Sequence, residues 1–175
     1  MAKTLIAFFS RADENYFGGA MRYVKIGNTE IVAGIMKELV DADTYKIEMK
    51  DPYSPVYMTC IDEAKKDKQN NARPELAGYL DSIDAYDTIV LGYPNYWGTM
   101  PMAVFTFLER YDFTGKTILG ALARHVCTPT PNFQPMNANF GIMFLEGRFN
   151  KKDRKNQYAP QSLAVIKELK DGGQL

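Results

Sequence analysis

The feature that most constrains this chain is a pair of unbroken apolar runs, Leu5 to Phe9 (LIAFF) and Thr88 to Tyr93 (TIVLGY). A strand with one wet face alternates apolar and polar residues, so an unbroken run marks a strand buried on both faces, as in parallel sheets. Between the two runs lies a segment of helical period. Ile31, Val32, Ile35, Met36, Leu39 and Val40 form one apolar stripe over Thr29 to Val40, suited to cover a sheet face. Tyr45, Ile47 and Met49 alternate with polar residues, which predicts a strand nearer the sheet edge.

The alternation continues through the chain. Pro52 and Pro55 give turn chemistry before a polar helix expected from about Tyr57 to Asn70. Pro101 to Arg110 reads as a helix with proline in its first turn, where the missing N–H is harmless. Thr117 to Leu122 and Phe140 to Leu145 supply two further strands, and Gln161 to Lys170 a closing helix. Cys127 to Asn139, with three prolines, reads as irregular connection. This order predicts a three-layer α/β domain with right-handed crossovers and helices on both faces of a parallel sheet.

Composition narrows the function classes. Lysine plus arginine equals aspartate plus glutamate at 21 each, so no net field favours nucleic acid or an anionic membrane. The N-terminal MAKTLIAFFSRAD has too few consecutive apolar residues for a signal core or a membrane span, and a cytoplasmic protein is expected. Cys60 and Cys127 lie far apart without metal-ligand spacing, so both are expected as reduced thiols, with no metal site. Glu109, Asp81, Asp84 and Asp87 form no catalytic dyad. The basic run Arg148, Lys151, Lys152, Arg154 and Lys155 reads as a solvated loop.

In open α/β sheets, ligands bind beyond the carboxyl ends of the strands. After the first strand the chain reaches Gly27-Asn28-Thr29 at a helix start, where N–H groups, a hydroxyl and the helix dipole can cradle a phosphate. Simple capping by Asn28 or Thr29 is the competing reading. No GxxxxGK[ST] or GxGxxG occurs there, which argues against a nucleoside triphosphate. After the third strand, Pro94-Asn95-Tyr96-Trp97-Gly98 sets the sole tryptophan on a tight loop at the same edge. A phosphate cradle beside an aromatic platform describes a ligand with a phosphate at one end and a planar ring at the other.

Through FSRADENYFGG, GNTEIVA and YPNYWGTMPMAVFTFLE, the chain resembles the flavodoxin-like flavoproteins over about Lys3 to Leu119. It is most similar to the branch with a long insertion in the phosphate loop. The resemblance implies a single flavodoxin-like domain over 1–175, a doubly wound five-stranded parallel sheet in the order 2-1-3-4-5, and noncovalent flavin mononucleotide (FMN). It implies that Ser10, Asn28 and Thr29 hold the phosphate, with Gly27 allowing close approach. Pro94, Asn95, Tyr96, Trp97 and Gly98 would border the ribityl chain and the ring.

The insertion Arg11 to Ile26 reads as a flap. It offers Arg11, Arg22 and Lys25 as phosphate counter-charges, and Tyr16, Phe17 and Tyr23 as a lid or a surface for a second subunit. Plain packing of its aromatics and solvation of its charges is the alternative. From about residue 120 the chain diverges, and GALARHVC does not match the family's third ligand loop. His125 would fall near the flavin edge or serve structure. The expected function is electron transfer or small-molecule reduction, with a redox partner protein or small-molecule acceptor. The alternatives are an NAD(P)H-dependent quinone or nitro reductase, and a flavodoxin-fold binding module that has lost its flavin. A homodimer is a further expectation.

Overall fold

A computed structural model of the chain describes residues 3–17, 19–124 and 141–146. His125, the proline-rich connection, the basic run and the closing helix expected from the sequence lie outside the described residues. The elements in chain order are β1 (Thr4–Phe8), β2 (Asp13–Phe17), β3 (Ala20–Val24), α1 (Asn28–Leu39), β4 (Ala42–Lys46), α2 (Tyr57–Gln69), β5 (Thr88–Pro94), α3 (Met102–Arg110), β6 (Thr117–Arg124) and β7 (Gly141–Glu146).

The main sheet has the order β4-β1-β5-β6-β7, which is 2-1-3-4-5 when only its own strands are counted. β1 runs parallel to β4 and β5, and β5 parallel to β6. The last strand departs from the all-parallel expectation, because β7 pairs antiparallel with β6. The register opens with Arg124 opposite Gly141. The chain thus re-enters the sheet at the same edge it left, where a parallel strand would need a crossover to the far end.

β1 shows why its sequence carries no polar position. Leu5, Ala7 and Phe9 join Ile89, Leu91 and the α3 residues Ala103, Val104 and Phe107 in one buried cluster. Ile6 and Phe8 face the other way, with Val90 and Leu119, against Val32, Ala33 and Met36 of α1. Side chains alternate across a strand, so a strand apolar on both faces requires a helix on each. Of the expected stripe, Val32, Met36 and Val40 are buried, with Ala33 beside them, while Ile31, Ile35 and Leu39 are exposed.

α2 behaves differently. Only Cys60 and Ala64 of its side chains are buried, and its neighbours are the β2 strand and α3. The insertion forms an antiparallel hairpin, β2–β3, with Asp13 opposite Val24 and Phe17 opposite Ala20. It is fastened to the start of α2. The Glu14 N–H donates to the Pro55 carbonyl at 3.2 Å, and the Tyr57 N–H donates to the Glu14 carboxylate at 2.8 Å. Tyr16 stacks on Tyr57 with ring centroids 6.3 Å apart.

Phe107 is fully buried and meets the rings of Tyr45, Tyr111 and Phe113 at 5.3–5.9 Å. Truncation leaves a cavity those rings cannot fill. Phe107→Ala is expected to cost about 3–5 kcal/mol of unfolding free energy, checked by urea denaturation; a loss below about 1 kcal/mol would show that the cluster is not the core of this face.

Candidate functional site

At the carboxyl ends of β1 and β5, the chain must turn away from the sheet, and there the backbone comes into close contact with itself. Gly27 precedes α1, and a Cβ on it would collide with the Arg11 carbonyl and the Ser10 hydroxyl. What Gly27 admits is therefore the chain's own Ser10–Arg11 segment. That approach lets the Ser10 hydroxyl accept the Glu30 N–H at 3.1 Å, a cap supplied from outside the helix. Gly92 has a similar role one strand over. A Cβ there would stand 3.0 Å from Phe8 Cβ and 3.2 Å from the Thr29 methyl, so Thr29, which is buried, packs the start of α1 directly on β5.

Beyond β5, the Tyr96 N–H donates to the Thr99 carbonyl at 2.8 Å and the Thr99 N–H returns to the Tyr96 carbonyl at 3.1 Å. The two residues between them, Trp97 and Gly98, have φ of 53° and 84°, the signature of a tight two-residue turn of the mirror-image type. Gly98 takes that conformation freely. A tryptophan does so at a cost of about 1–3 kcal/mol, so something must hold it. The indole Nε1 donates to the Ile61 carbonyl of α2 at 2.9 Å, the Lys68 ammonium donates to the Trp97 carbonyl, and Lys65 lies over the ring at 5.2 Å. The turn is clamped to α2, with the indole about half exposed.

These pieces enclose a cavity of about 260 Å³. Ser10, Asn28 and Thr29 form one part of its lining, and Pro94, Asn95, Tyr96 and Trp97 another. Seven of the nine residues expected from the sequence are thereby brought together. Gly27 and Gly98 do not line the cavity; they act on backbone shape. The remaining wall comes from Arg11 and Asn15 at the hairpin and from Tyr57, Cys60, Ile61 and Ala64 on α2. None of these six was expected as a wall except Arg11, which was expected as a counter-charge. The apolar spacing of Tyr57, Cys60, Ile61 and Ala64 along one side of an otherwise polar helix was the available signal.

Two polar groups of the lining are shielded from solvent. Burial pushes the Tyr96 hydroxyl well above its ordinary range, an effect reinforced by the Cys60 thiol beside it. Burial likewise raises the Cys60 thiol, against the nearby Arg11 charge and the Tyr96 hydrogen bond, which both lower it. Both groups are therefore protonated and neutral at pH 7. Tyr53 donates to Asp67 at 2.7 Å and lies 6.4 Å, ring to ring, from Tyr96, which fixes the aromatic side of the cavity from behind. Of the insertion's other charges, Arg22 lies over Phe17 at 5.8 Å, and neither it nor Lys25 lines the cavity.

A family profile described as flavodoxin matches residues 20–133, well over half of the chain. The chain belongs to the flavodoxin family. Among solved structures, a protein assigned as a flavoprotein from Bacteroides uniformis ATCC 8492 is similar at 28% identity and a TM-score of 0.57, over 70% of this chain and 72% of that one. A flavoprotein in complex with FMN from Lactobacillus acidophilus NCFM shares the flavodoxin fold at 18% identity and a TM-score of 0.50, over 71% of this chain and 93% of the other.

Curated relatives match in a different way. The methylenetetrahydrofolate–tRNA-(uracil-5-)-methyltransferase TrmFO of Lactiplantibacillus plantarum is 35% identical over 109 residues, 59% of this chain but 24% of that enzyme. The TrmFO of Oleidesulfovibrio alaskensis is 28% identical over 148 residues, 82% of this chain and 32% of the enzyme. The chain thus spans a third or less of the length of these relatives. Among the described residues of this flavodoxin, no helix is long and apolar enough to cross a membrane, and no cluster of metal-ligating side chains occurs.

The close approach at Gly27 generates a sharp expectation. Gly27→Ala forces Ser10–Arg11 away from α1 and is expected to lower stability by about 1–3 kcal/mol, checked by urea denaturation. An unchanged midpoint would show that the segment yields freely.

Proposed function

We propose that this flavodoxin binds FMN noncovalently in the carboxyl-edge cavity and serves electron transfer or small-molecule reduction. The observation that carries the reading is the juxtaposition, in one cavity, of the α1 N-terminus with Ser10, Asn28 and Thr29 and of the aromatic turn with Tyr96 and Trp97. A helix start favours an anion through its free N–H groups and its dipole. The FMN complex of the Lactobacillus acidophilus neighbour supports the choice of ligand. The residues present fit such a ligand, since the polar and aromatic parts of the lining correspond to the two ends of the molecule.

Bound FMN supplies one- and two-electron chemistry. The chain's part is to bind, orient and exclude water. Asn28 and Thr29 present the helix start to the phosphate, and Trp97, tied to the Ile61 carbonyl, offers its indole to the ring. Cys60 and Ala64, both buried, keep the cavity floor free of charge. The electron acceptor is either a redox partner protein or a small molecule such as a quinone, and steady turnover with reduced nicotinamide and a quinone separates the reductase from the carrier.

Trp97 is the only tryptophan, so its emission reports on the turn without interference. Titration with FMN is expected to quench this emission and the flavin's own fluorescence with a one-to-one end point. Trp97→Ala is expected to weaken FMN binding by about 1–3 kcal/mol, by analogy with aromatic stacking on nucleic-acid bases. Absence of quenching up to about millimolar FMN, roughly −4 kcal/mol of affinity, would overturn the flavin reading; full affinity in Trp97→Ala would remove the indole as the ring's platform.

A further inference from the structure

Resting on that reading, we infer that the Arg11 guanidinium is the charged donor to the flavin phosphate and the group by which this chain distinguishes FMN from riboflavin. Arg11 directly follows Ser10, the residue that caps α1, and lines the cavity with Asn28 and Thr29. Its side chain is held in place by backbone carbonyls. Nη1 donates to the Glu14 carbonyl, and Nη2 to the Ser54 and Pro55 carbonyls at 2.9 and 2.8 Å.

All of these acceptors are neutral. The Glu14 carboxylate is turned to the Tyr57 N–H, and among the described residues no ion pair involves Arg11. The guanidinium is half-buried with its charge uncompensated, beside a helix start that is itself positive. One of its donors is also unspent. Arg11 Nε is buried and has no hydrogen-bond partner, alone among the buried side-chain nitrogens and oxygens of the described residues. Its field reaches the cavity, where it acts on Cys60 and Tyr96. A fixed cation that no carboxylate meets, on the cavity wall beside a helix start, is completed by an anion, and the phosphate is the part of FMN that riboflavin lacks.

The test is titration of the full chain with FMN and with riboflavin, for the wild type and for Arg11→Gln, Arg11→Lys and Glu14→Ala. The wild type is expected to prefer FMN. In Arg11→Gln that preference is expected to fall about 10- to 100-fold, the range of one charge-assisted hydrogen bond, with riboflavin affinity little changed. Arg11→Lys, which keeps the charge without the fork, is expected to fall between, and it decides the matter should Arg11→Gln not fold. Glu14→Ala removes the carboxylate contact to the Tyr57 N–H but leaves the backbone carbonyl that Arg11 uses, and is expected to keep the wild-type preference. An unchanged preference in the Arg11 variants, or a loss shared equally by both flavins, overturns the inference while leaving flavin binding standing. Binding of neither flavin by the wild type overturns both.

Discussion

The site depends on one close approach. Because Gly27 has no side chain, Ser10 and Arg11 can lie against the start of α1, and three consequences follow from that contact. The serine hydroxyl becomes a helix cap. The arginine is brought to the wall of the cavity, and the hairpin that begins just after it is aimed at α2. A side chain at position 27 would push apart the two halves of the polar end together, so the phosphate side of the cavity is in effect a property of backbone geometry.

The aromatic side is built by the opposite means. There a residue with a large side chain is forced into a conformation it disfavours and is held by contacts to a neighbouring helix. Trp97 gives its indole N–H to Ile61 and its carbonyl to Lys68, so α2 and the turn stabilise each other across the mouth of the cavity. α2 in turn is held by the hairpin through Glu14 and by Tyr16 stacking on Tyr57. The insertion is thus a docked wall rather than a loose flap, and it contributes Asn15 to the lining.

The central strands and most element boundaries were legible because strands buried on both faces leave an unbroken apolar run, as Leu5 to Phe9 does, whereas the strand order was implied by the family resemblance alone. The ligand edge was legible because Gly27-Asn28-Thr29 and the Pro94 to Gly98 loop fall at strand ends. What escaped was tertiary. The hairpin β2–β3 carries no clean alternation, since its strands are half-exposed or exposed throughout. α2 read as a polar surface helix, and only the fold shows that its few apolar residues floor the cavity. The direction of β7 was unreadable as well, because an apolar run is the same forwards and backwards.

Amide hydrogen exchange with and without FMN tests the central claim, that one cavity at the carboxyl edge joins the α1 start, the aromatic turn and α2 around a flavin. The account expects FMN to slow exchange in peptides covering residues 10–15, 27–30, 57–64 and 95–99 together, with the far ends of β1 and β5 unaffected. Protection confined to one of these segments, or found elsewhere on the chain, would contradict it.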